Sequence, residues 1–139
     1  MPFREKSAWV MAALMTAAGA IYVWGAVTAS RVLGQAAPPL APLISFIMLV
    51  VIGAIVLQVA LAILWPREAD SPADERERLI QTKAGAWAGW VLTSGVLAGL
   101  AHFLVNGDGT VMFHILFVAL IVSQVAEYAF AIFLFRRGV

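Results

Sequence analysis

Glu127 is the one acidic side chain inside a long apolar stretch of this chain, and it has polar company at the same depth. Gln124 precedes it by about one helical turn, while Thr16, Gln58, Thr93 and Ser94 occupy comparable places in other apolar stretches. At 1.5 Å per residue, all of these lie roughly 10 to 16 Å from the ends of their stretches. Polar groups left unpaired in hydrocarbon are costly, so they are expected to face one another as an intramembrane layer. One use of such a layer is an interhelical hydrogen-bond register worth about 1 kcal/mol per bond. The other is chemistry at Glu127, since an intramembrane carboxylate without a cation tends to take up a proton or hold a positive ion. Gln58, Gln124, Ser123 and Tyr128 are its candidate partners, with Arg136 a longer reach.

A second constellation is His102 and His114, each six residues from Asp108. Two imidazoles near a carboxylate can ligate zinc or copper, and paired histidines can hold haem. Spacing fixes no third strong ligand, and hydrogen-bonded histidines are the plainer reading. The chain has no cysteine, which removes disulfides, thiolate metal sites and covalent haem attachment. There is no Gly-rich phosphate loop, nucleophile elbow or helical His-Glu zinc motif. Thr93 and Ser94 fall on the opposite side of the membrane from both histidines. The expectation is therefore a protein that is not an enzyme and needs no cofactor.

The elements that must position these residues are membrane spans. With 63% hydrophobic and 12% charged residues in 139, the chain is too apolar for an ordinary soluble domain. Four stretches, 8–28, 43–65, 84–105 and 111–135, each reach the ~20 residues that cross a bilayer. The expected fold is all-α, a single four-transmembrane-helix bundle over residues 1–139. Arg4, Lys6, Arg67, Arg76, Arg78, Lys83, Arg136 and Arg137 fall on one side of this pattern and only Arg31 on the other. Positive residues are retained in the cytoplasm, so both termini and the central loop are expected inside, in a bacterial inner membrane. The first apolar run outlasts the ~7 to 15 residue core of a signal peptide, which favours an uncleaved span. Acids and bases are mixed in the central loop, so direct nucleic-acid binding is not expected.

Ser71-Pro-Ala-Asp74 reads as a helix start. A helical extension over about 71–83 should then lead into the third span, as a solvated overhang or as a docking surface formed by Asp74, Glu75, Arg76 and Arg78. Ile55-Val-Leu-Gln-Val-Ala60 and Ile121-Val-Ser-Gln-Val-Ala126 match at five of six positions. Ala8-Trp9 aligns with Ala86-Trp87, which sets Thr16 opposite Ser94, and two parallel helical-hairpin repeats are a further expectation. Trp9, Trp65, Trp87 and Trp90 fall near span ends as interface anchors. Small residues at four-residue spacing, among them Gly85 with Gly89 and Gly95 with Gly99, permit close helix approach within one chain or between copies.

The run Asp74-Glu75-Arg76-Glu77-Arg78, followed by Ile80 and by Lys83-Ala84 entering an apolar helix, resembles a pattern in small uncharacterised four-span prokaryotic membrane proteins. The resemblance implies a four-helix membrane bundle with an Asp-Glu-Arg-rich cytoplasmic loop. Some similar proteins appear beside small helix-turn-helix regulators, and no catalytic residue is carried over. Three functions are compatible with the sequence. The first is an inner-membrane scaffold or regulatory protein whose charged helix meets a cytoplasmic or membrane partner. The second is a small proton- or solute-coupled transport protein built on the Glu/Gln layer and assembled as a homo-oligomer. The third is a His102–His114 metal or haem protein.

Overall fold

A computed structural model of the protein describes residues 3–69, 72 and 74–137. Four long helices alternate in direction: α1 (Phe3–Leu33), α2 (Leu40–Leu64), α4 (Glu75–Asn106) and α5 (Gly109–Arg137). A single turn, α3 (Pro66–Ala69), sits between α2 and α4. All four long helices are long and apolar enough to cross a membrane, so the chain is an all-helical, multi-pass membrane protein among its described residues. The start of α1, the end of α5 and α3 lie at one end, the terminal end; the α1–α2 and α4–α5 connections lie at the other, the hairpin end.

The helix ends follow local chemistry. Asp74 caps α4, its Oδ1 accepting the Glu77 N–H at 2.6 Å. The start expected near Ser71 thus falls at Glu75: Pro72 is outside the helix and Asp74 supplies the acceptor that the first amides need. Ser71 itself lies outside the described residues. At the far end of α4, Gly107 adopts φ 69°, the left-handed conformation that glycine takes without a Cβ clash, and its N–H bonds to the Phe103 carbonyl. Asp108 then caps α5, Oδ1 accepting the N–H groups of Thr110 and Val111 at 2.9 and 3.0 Å. Two residues therefore complete the whole α4–α5 turn.

The extensive seams are α4 with α5, α1 with α5, and α1 with α2. The helices form a row, α2–α1–α5–α4, rather than the closed ring a four-helix bundle suggests. A pseudo-twofold relating two hairpins would pair α2 with α4 as α1 pairs with α5, and no seam of that extent joins α2 to α4 among the described residues. Glycine sets the closest approach. A Cβ at Gly95 would strike the Ala119 side chain and backbone, and one at Gly99 would come within 2.9 Å of Leu116 Cδ2. The Gly95/Gly99 pattern is thus used inside the chain, between α4 and α5. Met15, Ala18, Tyr22, Phe46 and Ile121 bind α1, α2 and α5 together towards the hairpin end. Ile80, Ala84, Ala131 and Leu134 do the same for α4 and α5 at the terminal end.

Candidate functional site

The six residues expected to form one polar layer are not brought together. Thr16, Thr93 and Ser94 each donate to the carbonyl four residues back in their own helix, Ala12, Gly89 and Trp90, at 2.7, 2.8 and 2.9 Å. A helical hydroxyl can satisfy itself this way without a neighbouring helix, so its presence in a span does not require a facing partner. Gln58 donates from Nε2 to Ser7 Oγ at 2.7 Å, tying α2 to α1. Ser123, buried, donates across the α4–α5 seam to the Ala88 carbonyl at 2.9 Å. Gln124 and Glu127 are half-buried.

Glu127 instead lines a cavity of about 400 Å³ at the terminal end, between α1, α4 and α5, with Arg4, Ser7, Glu68, Gln81 and Tyr128 on its walls. Its depth follows from α5: eight residues from the end of the apolar stretch at Phe135, or about 12 Å. Gly85 of α4 faces the carboxylate, and a Cβ there would sit in ordinary contact, 3.7 Å from Glu127 Oε1. Among the described residues, no hydrogen bond or ion pair reaches the Glu127 side chain.

The charges around the cavity mouth are matched to one another. Arg4 Nε pairs with Glu77 Oε2 at 3.0 Å, Lys6 Nζ with Glu68 Oε2 at 2.8 Å, and Arg136 Nε with Glu5 Oε1 at 3.8 Å. Arg76 Nη2 reaches the Phe135 carbonyl at 3.4 Å. These contacts join α1 to α3, α4 and α5. They also place Arg136 on Glu5, not on Glu127. Lys6 lies 4.3 Å over the Trp65 ring and Arg136 5.3 Å from that of Trp9, so two of the anchor tryptophans also hold cations.

At the hairpin end the pattern is reversed. Ala37 precedes Pro38, which disfavours helical backbone at Ala37 and leaves its N–H and carbonyl without helical partners. Ser30 Oγ accepts the N–H at 2.9 Å while donating to the Ala26 carbonyl at 2.8 Å. His114 Nε2 is 2.9 Å from the Ala37 carbonyl, and His114 Nδ1 is 2.7 Å from the Tyr22 hydroxyl. A carbonyl only accepts, so the neutral ring carries its proton on Nε2 and Nδ1 accepts from Tyr22. Tyr22 is 2% exposed and packs against Phe46 and Phe117. Sequence reasoning missed this knot; the available signals were a lone Tyr in the first span and a loop residue pinned beside two prolines.

Both ring nitrogens of His114 are thereby taken by protein groups, which leaves it no lone pair for a metal or haem. His102 pairs within α4, its Nδ1 3.1 Å from Asn106 Nδ2, and its buried Nε2 has no partner among the described residues. No group of three or more His, Cys, Asp or Glu side chains converges among the described residues. On the charged helix, Asp74 is spent on capping, Arg76 on α5 and Glu77 on Arg4, while Glu75 and Arg78 are exposed. No family model, curated protein or solved structure matches the chain.

Proposed function

We propose that this is a small proton- or cation-coupled transport protein of the bacterial inner membrane, with Glu127 as the group that takes up the ion from the cytoplasmic side. The observation that carries the reading is a carboxylate about 12 Å inside a span, lining an open cavity with no protein partner among the described residues. Such a group gains from a proton or cation what the protein does not provide. Eight of nine basic residues at the terminal end favour that end as cytoplasmic. Arg4 and Glu68, the other charged groups on the cavity wall, are each paired, which leaves Glu127 as the wall's unmatched charge among the described residues. At about 400 Å³ the cavity suits a small solute or ion, near the lower bound of ligand pockets. The test is proton flux into vesicles containing the full chain. Glu127→Gln should abolish flux while the protein stays helical and monodisperse, and equal flux from both proteins would defeat the proposal.

A second reading, a scaffold whose charged helix meets a partner, is favoured by the exposure of Glu75 and Arg78 in the first turns of α4, ahead of the buried Ile80 that begins the α4–α5 core. Charge reversal at these two residues leaves the Asp74 cap and the Arg76 and Glu77 contacts intact. Loss of a co-purifying protein on that double change supports the scaffold, and its full retention argues against it.

A further inference from the structure

An open crevice follows the α1–α5 seam, running from the hairpin end to the middle of the spans. Its upper part, about 680 Å³, is walled by Val23, Val27, Val111, Ile115 and Val118. Its lower part, about 370 Å³, shares Val23 and Val118 and continues past Ala20 and Val122 to Thr16 and Val125. On α1 the wall positions 16, 20, 23, 27 and 31 recur at three- and four-residue spacing, as do 111, 115, 118, 122 and 125 on α5. Each set is therefore one helix stripe, and the two stripes form a single lengthwise slot. Ser30, Arg31 and Gln35 stand at the mouth of the slot, and below them its walls are apolar apart from Tyr22, His114 and Thr16, whose polar groups already bond one another, the Ala37 carbonyl or their own helix.

We propose that this crevice binds one anionic phospholipid of the leaflet at the hairpin end, with an acyl chain in the slot and the phosphate at Arg31. Length supports a lipid. From Arg31 to Thr16 the slot runs about 22 Å, enough for a headgroup contact followed by one leaflet of hydrocarbon, about half of a 30 Å core. Chemistry supports it too. β-branched side chains and alanine present no hydrogen-bond donor for a polar ligand, whereas a saturated chain needs none. Charge complementarity sets the headgroup class. Arg31 is the sole Lys or Arg at the hairpin end of the sequence. It is exposed, lines the mouth, and forms no ion pair with any described residue. A guanidinium at headgroup level matches phosphate oxygens in planar, bidentate fashion. The proposal does not depend on Glu127, which lies in a separate cavity at the other end.

Native mass spectrometry of the full chain, titrated with phosphatidylglycerol or with phosphatidylcholine of the same acyl chains, tests it. The expected result is one tightly retained phosphatidylglycerol per chain, preferred over phosphatidylcholine. Arg31→Gln should erase that preference, about fivefold for one basic residue near an anionic surface. Val23→Trp and, separately, Val27→Trp fill the slot from positions already facing outwards, and each should lower retention of both lipids. Unchanged preference in Arg31→Gln, or unchanged retention in both Trp variants, overturns the proposal. So does a dimer that displaces lipid and is lost in the Trp variants, which would assign the slot to a second copy of the chain.

Discussion

At the hairpin end of the α1–α5 seam, Ser30, Ala37, His114 and Tyr22 satisfy one another in an unbroken series of hydrogen bonds. At the terminal end of the same seam, Glu127 faces a cavity and finds no partner among the described residues. Both regions place an ionisable group between the same two helices, yet only one uses it to hold the chain together. The contrast separates structural from functional polarity in a membrane span. A group whose every lone pair and proton is matched fixes geometry, whereas one held in position by packing but left unmatched is available to a ligand.

The largest stability effect is expected from breaking the matched end. His114→Ala leaves the Ala37 carbonyl and the Tyr22 hydroxyl unpaired and opens a gap beside the Tyr22 and Phe113 rings, and should cost about 2 to 3 kcal/mol in detergent unfolding. Tyr22→Phe keeps the ring packing and orphans only His114 Nδ1, so a loss of about 1 to 2 kcal/mol is expected in the same assay. If Tyr22→Phe proves as damaging as His114→Ala, the knot owes more to Tyr22 than its single bond allows. Asp74→Ala tests the charged helix at the other end. Losing an N-cap should cost about 1 kcal/mol and fray the first turn of α4, visible as faster amide exchange at Arg76 and Glu77. Glu127→Gln should be the mildest, within about 0.5 kcal/mol of the parent, because no protein contact is given up. A loss as large as that of His114→Ala would place Glu127 among the structural groups and remove the contrast.

The four spans were legible because length and apolarity suffice to mark them, and Gly95 and Gly99 were legible as a packing stripe because α4 has to approach α5 closely. Three features were not. The cap moved from Ser71 to Asp74, since Asp74-Glu75-Arg76-Glu77 carries the same capping logic one turn later and Pro72 stays outside the helix. The shared polar layer failed because Thr16, Thr93 and Ser94 satisfy themselves on their own helices, which depth alone does not foresee. The matching Gln58 and Gln124 segments suggested equivalent roles, but Gln58 is bonded to Ser7 while Gln124 is half-buried on α5 with no such bond among the described residues. Glu127 stood out in the sequence as the acid inside a span; its cavity, and the pairing of Arg4, Lys6 and Arg136 with other acids, required the helices to be placed.

The most direct test of the unmatched carboxylate is infrared difference spectroscopy of the reconstituted protein between alkaline and acidic buffer, compared with Glu127→Gln. A protonated-carboxyl band present in the parent and missing from the variant, with both proteins equally helical, is the predicted result. Identical difference spectra, in buffers with and without added sodium or potassium, would mean that Glu127 neither exchanges a proton nor responds to a cation, and would contradict its role as the ion-binding group.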